Sequence, residues 1–196
     1  MIVGVSGFQG VNIAFILLAL YNRKPMTGSH KSATRPQFLV DTMVLGLVRW
    51  LRFLGYKAWD TRTLVDAKII IQKNPKIIFL TCSKTHLEQI SPPRYLLLQE
   101  NNLEKQLHKI DTEFGIFRDI HLLSICSICN VEVENVDKSE IEHAVPEQVY
   151  KNIEIFRRCP ECKKVYWQGG HIFRLKDRLI RMNIPIPAVD FSNRRP

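Results

Sequence analysis

Two C-x-x-C pairs constrain this chain more than any other feature. Cys126 and Cys129 stand in SICSICN, and Cys159 and Cys162 in RRCPECKKVYW. A C-x-x-C turn puts two thiolates on one side of a tight loop. Two such turns facing each other make the tetrahedral sulfur cage that Zn²⁺ prefers. A closed four-cysteine cage leaves no position for a substrate, so the zinc expected here is structural. Other uses of the cysteines fit less well. A redox C-x-x-C stands alone after the first strand of a βαβ unit, whereas this chain has two, late in the sequence. Disulfides need an oxidising compartment and would leave Cys82 as an odd thiol. Free thiolates point instead to a reducing compartment, cytoplasm or nucleus.

Upstream of the cysteines, apolar runs alternate with helix-like segments. QFLV, from Gln37 to Val40, suits a short buried strand ending in Asp41. Met43 to Leu54 reads as a helix, with Gly55 where a C′ glycine belongs. YKAW is a second strand candidate, and TLVDAKIIIQKN a short helix ended by Asn74-Pro75. KIIFLT and RYLLLQ read as buried strands, and NNLEKQLHKIDTEF as an amphipathic helix. Strands alternating with helices predict an α/β layer with a largely parallel sheet. The ribbon begins near Ser124, with VEVENV and KVYW as hairpin strands and Gly169-Gly170 as a turn.

The N-terminus reads differently. MIVGVSGFQGVNIAFILLAL is nearly uncharged and has the length of a short signal anchor, yet no Lys or Arg precedes it and no small-x-small cleavage site is evident. Gly4, Gly7 and Gly10 imitate a dinucleotide-binding turn. However, there is little room for a preceding strand, and no acid stands at the ribose-binding distance. Tyr21 to Arg35, with Pro25, Gly28, Ser29 and Ser32, reads as a polar linker. Residues 1–36 are therefore an apolar segment plus linker: either a membrane contact through residues 3–20 or an extension outside the fold. The domain reading is 37–123 for the α/β unit, 124–174 for the zinc ribbon and 175–196 for a basic tail.

The formal net charge of +9 points toward an anionic partner, nucleic acid in the first place. Basic residues gather late: Arg157, Arg158, Lys163 and Lys164 flank the second cysteine pair, and Arg174, Lys176, Arg178 and Arg181 follow. They can neutralise phosphates without reading bases. Tyr166, Trp167 and Phe173 lie among them, either to stack on unpaired bases or to fill the ribbon. Arg49 and Arg52 interrupt an otherwise apolar helix. There they either pair with a carboxylate such as Asp41, meet a ligand phosphate, or snorkel at the helix edge.

Ligand sites in open parallel sheets form beyond the carboxyl ends of the strands. Asp41 lies at one such end, Thr81-Cys82-Ser83 at another, and Asp66 on the helix between. Carboxylates gathered there would bind Mg²⁺ or Mn²⁺, which prefer oxygen ligands, and could orient a water at a phosphodiester. Cys82 and His86, at i and i+4, form a possible thiol–imidazole pair. The simpler reading is a buried cysteine and a surface histidine.

FLVDTMVLGLVRWLRFLGYKAWD, IIFLT, C-x-x-CN and C-x-x-C-x-x-VYWQGGH together resemble the C-terminal RNase domain of the mut-seven exonucleases, over roughly Gln37 to Arg174. That family joins a PIN-like, Rossmann-like nuclease fold to a zinc ribbon. The resemblance implies handling of single-stranded RNA and, in active members, metal-dependent phosphodiester hydrolysis. It implies Asp41 as the first metal-binding acid and Asp66 as the second. The third acid of the family's T-R-D turn is replaced by Ser83, which removes a full charge where charge does most of the metal binding. Glu88, about one helical turn on, is the nearest possible substitute. The residues expected to meet RNA are Arg49, Arg52, Lys163, Lys164, Trp167, His171 and Arg174. His171 reads also, and more simply, as a hydrogen-bonding residue of the ribbon tip.

Overall fold

Short, β-rich apolar runs such as FLV and IFLT can bury both faces only inside a sheet covered on two sides, and the computed structural model places them there. It describes residues 35–186, all within one compact unit. Four parallel strands, β1 (Phe38–Val40), β2 (Ala58–Asp60), β3 (Ile78–Thr81) and β4 (Tyr95–Leu97), lie in the order β2-β1-β3-β4. Register pairs Phe38 with Ala58 on one side and with Ile78 on the other. The connecting helices are α1 (Gly46–Phe53), α2 (Leu64–Lys73), α3 (Lys84–Ile90) and α4 (Leu103–Phe114).

Strand periodicity sorts the helices between the two faces. Phe38, Val40, Ile78 and Leu80 pack against Leu47, Leu51 and Leu54 around α1 and against Leu107 and Ile110 of α4. Leu39 and Phe79 point the other way, to Ala67 and Ile71 of α2 and to Ile90 of α3. The α/β expectation holds, and so does the parallel sheet. Helix ends follow local chemistry. Thr63 caps α2 by accepting from the Asp66 amide at 3.1 Å, and Asn102 caps α4 by accepting from the Lys105 amide at 2.9 Å.

Gly55 closes α1 at φ +91°, as its C′ position predicts. A Cβ there would stand 2.5 Å from the His121 carbonyl oxygen, because the chain returning from α4 crosses directly over it. Gly55→Ala is thus expected to cost roughly 2 kcal/mol or more, from left-handed backbone strain plus displacement of that crossing. Urea denaturation of the variant beside wild type measures it.

The ribbon differs from its expected form. Its sheet has three antiparallel strands, β5 (Glu134–Val136), β6 (Phe156–Arg158) and β7 (Val165–Tyr166), in that order. VEVENV and KVYW therefore do not pair with each other; β6 lies between them. Between β5 and β6 runs an excursion that includes α5 (Glu147–Asn152). It folds over a small core of Ile141, Val145 and Phe156, with Trp167 packed against it. Gly169-Gly170 is not a hairpin turn. Gly169 is the N-cap of α6 (Gly170–Arg181), which continues through the first residues of the expected tail. Ile172 and Leu179 of α6, with Met182 beyond it, bury against the same core as the sheet. Cys126, Cys159 and Tyr166 belong to that core too, so the packing is continuous across residue 124. Among the described residues no helix is long and apolar enough to cross a membrane. The membrane reading of residues 3–20 lies outside the described residues, as do residues 187–196.

Candidate metal centre and active site

The two C-x-x-C turns are built alike. Cys126 N–H donates to Val131 O and Asn130 N–H to Cys126 O; Cys159 N–H donates to Lys164 O and Lys163 N–H to Cys159 O. Asn130 (φ 62°) and Lys163 (φ 61°) take the same left-handed conformation just after each pair. Each turn thereby curls its two sulfurs to one side. All four sulfurs lie within 4.8 Å of one another, and Cys126 and Cys162 are 3.7 Å apart. A tetrahedron with metal–sulfur bonds of about 2.3 Å has sulfur–sulfur edges of about 3.8 Å, so the donors fit a thiolate-bound ion.

Electrostatics point the same way. Burial would raise the Cys126 thiol, but the Cys129 and Ile128 amides and the Tyr166 hydroxyl at 3.1 Å pull it down to about 6. Cys129 and Cys159 are pushed up, by burial first and then by the neighbouring sulfurs. Four thiolates this close cannot all ionise unaided; a bound cation removes the conflict. Burial, then the bond to Cys126, pushes Tyr166 up to about 12, which keeps its hydroxyl a donor.

Two side chains fasten the first turn to the α/β layer. Asn130 Oδ1 accepts from the Ala58 amide at 2.8 Å, beside β2. Arg52, from α1, is buried. Its Nε donates to Ala58 O at 2.9 Å, and NH1 donates to Ser127 O at 2.9 Å and Ile128 O at 3.2 Å. Its charge faces Asp60 at 3.6 Å. Arg52 thus pairs neither with Asp41 nor with solvent; it ties a helix to a cysteine turn.

A second constellation sits where the strand order reverses, between β1 and β3, the usual ligand crevice of such sheets. Asp41 follows β1 with only 1% of its side chain exposed. Thr42 donates to its Oδ1 at 3.0 Å. Thr81, the last residue of β3, donates to Oδ2, and His86 Nδ1 lies 2.7 Å from the same oxygen. Ser83 takes part indirectly. It donates its amide to Thr81 Oγ1 at 3.0 Å, and its hydroxyl caps α3 by accepting from the His86 amide at 3.2 Å. Ser83 therefore links Thr81 to the start of the helix that carries His86 to Asp41.

Burial would raise the Asp41 carboxyl, but bonds from Thr81, His86 and Thr42 outweigh it and hold the group below 3.8. The sign follows. Asp41 stabilises the fold fully above 3.8, and that stabilisation is lost as pH falls through its lower folded value. The gap in urea midpoint between wild type and Asp41→Asn is expected to narrow as pH falls below 3.8.

Asp66 is exposed in the first turn of α2, beside Asp60, Arg62 and Ile69 along a shallow groove. Glu88 and Cys82 are exposed. Among the described residues, the four cysteines are the only place where three or more His, Cys, Asp or Glu donors converge. The partner that Asp41 finds is His86, and Cys82 forms no bond with that imidazole.

Of the other expected contacts, Arg49 and His171 come together, with guanidinium to Nε2 at 3.0 Å, and so join α1 to the first turn of α6. Arg178 lies over Trp50 at 5.0 Å, a second link between the same helices, and Arg174 is exposed on α6. Lys163 and Lys164 are exposed on the second cysteine turn. Trp167 is half-buried, 6.5 Å from the Phe156 ring, and fills the small core. Phe173 remains 55% exposed beside Lys176. Sequence reasoning placed Thr81 at the strand end without its bond to Asp41, and gave no role to Thr42 or Asn130.

Fold and site define a doubly wound α/β protein with a four-cysteine, metal-competent ribbon packed onto one face of its sheet. The family model described as the Mut7-C RNAse domain matches residues 36–179, and the chain belongs to that family. No curated protein and no solved structure matches it.

Proposed function

We propose that the protein binds single-stranded RNA, with Zn²⁺ held by Cys126, Cys129, Cys159 and Cys162 as a purely structural ion in a reducing compartment. The observation that carries this reading is the basic strip along α1 and α6, where Arg49, His171, Arg174 and Arg178 are exposed, with the exposed ring of Phe173 beside Lys176 elsewhere on α6. Guanidinium groups linked across two packed helices present donors to a phosphate backbone, and an exposed ring offers a stacking face. Lys163 and Lys164 extend the charge toward the metal turn. Arg52 and Trp167, being committed to packing, contribute through the fold.

In fluorescence anisotropy with a single-stranded oligonucleotide, Arg49→Ala with Arg174→Ala is expected to weaken binding about tenfold and to reduce the salt slope by about 1–2. Unchanged affinity and slope would remove the strip from the interface. Elemental analysis of the purified chain identifies the metal.

A second reading is metal-dependent hydrolysis, with Mg²⁺ or Mn²⁺ on Asp41 and Asp66. It is favoured by the place of Asp41 at the switch point and opposed by Ser83. Mn²⁺-dependent cutting that Asp41→Ala abolishes would establish it, and a gain of cutting in Ser83→Asp would locate the loss in that one carboxylate.

A further inference from the structure

The Asp41–His86 pair has the layout of a proton-transfer site. Asp41 accepts from Thr42 and Thr81 as well, and the hydrogen between it and His86 sits on Nδ1. In the neutral ring this leaves the lone pair on Nε2. No hydrogen bond to Nε2 is formed among the described residues, and the His86 side chain is 25% exposed while Asp41 is 1% exposed. The carboxylate is thus sealed behind the ring and the basic nitrogen faces outward. The arrangement is braced throughout: Ser83 N–H donates to Thr81 Oγ1, and Thr81 donates to the Asp41 oxygen that also accepts from His86. Such a chain fixes both tautomer and ring angle.

The geometry points to His86 as a general base for cleavage of RNA that uses no Mg²⁺ or Mn²⁺, with Asp41 and Thr81 as its positioning residues. The inference rests on the RNA-binding reading above. A site that moves protons but gathers no carboxylates for a cation suits the nucleophile RNA already carries. The ribose 2′-hydroxyl is tethered beside its phosphate, so attack is intramolecular and needs no metal-bound water. Nε2 takes the 2′-hydroxyl proton, the 2′-oxygen bonds to phosphorus, and the P–O5′ bond breaks. The leaving 5′-oxygen takes a proton from water, and the imidazolium returns its own to the hydroxide so formed. The products are a 2′,3′-cyclic phosphate and a 5′-hydroxyl.

The test uses the full chain with its cysteine-bound metal verified, in buffer freed of Mg²⁺ and Mn²⁺. The probes are a fluorescent single-stranded RNA and its all-2′-deoxy counterpart, and binding and cutting are measured on the same samples. Wild type is expected to cut only the RNA and leave a cyclic phosphate. His86→Gln and His86→Asn should each lose about 100-fold or more in rate while keeping RNA affinity. Asp41→Asn should lose part of the rate, and Cys82→Ser none. RNA bound but left intact would overturn the inference and spare the binding reading. Cutting that appears only with Mn²⁺, or of the deoxy strand as well, would replace it with metal-dependent hydrolysis. No binding at all would sink both.

Discussion

Removing the metal from the four cysteines is expected to unfold the α/β layer together with the ribbon, in one transition. Cys126 and Cys159 are fully buried and share a core with Phe38, Leu47, Leu80 and Leu107. Without a cation, sulfurs as close as 3.7 Å must either protonate or repel, inside the packing that also holds the sheet. A structural zinc site contributes about 10–16 kcal/mol of binding free energy, comparable to the whole net stability of a domain, about 5–15 kcal/mol. A chelator titration followed by far-UV circular dichroism and by metal release tests the coupling. The two signals should coincide, and Cys159→Ser should behave as the metal-free chain. Metal lost with the helical signal intact would show that the layer stands alone.

Arg52→Ala is expected to destabilise by about 3–5 kcal/mol, a large effect for one side chain far from the metal ligands in sequence. The guanidinium serves three backbone carbonyls, of Ala58, Ser127 and Ile128, and faces Asp60. Truncation leaves those oxygens without their donor and opens a void between α1 and the first cysteine turn. Because Ser127 and Ile128 lie between Cys126 and Cys129, metal affinity should fall as well, by about tenfold or more. Arg52→Lys should recover only part of either loss, since an ammonium cannot reproduce the planar fork that spans β2 and the turn. Urea denaturation and competition with a metal-binding dye measure the two effects. An Arg52→Ala chain as stable as wild type would mean that Arg52 is an edge residue after all.

Much of the scaffold was legible because its signals are local. The cysteine spacing marks the metal turns, FLV and IFLT mark strands buried on both faces, and Gly55 marks the end of α1. Asp41 was visible from its place after the first strand. What escaped was set by partners distant in sequence. His86 looks like a neighbour of Cys82 at helical spacing, but its partner is Asp41, across the switch between β1 and β3. Arg52 looks like a charge in search of an anion, whereas backbone carbonyls more than seventy residues away receive it. Trp167 resembles a stacking platform, yet a small second core claims it, one that forms only when the excursion between β5 and β6 folds over. α6 does leave a trace in the sequence: Ile172, Leu175, Leu179 and Met182 repeat at helical intervals behind the two glycines, whose turn chemistry masks it.

That excursion divides the metal ligands in an instructive way. It carries its own core, and Glu142 and His143 lie exposed within it. A break in the backbone there would yield two pieces, one with the α/β layer and the first cysteine pair, the other with the second pair and α6. Each would hold half a coordination sphere, and the ion would become the joint between them: a natural split protein, whose reassembly is switched by metal.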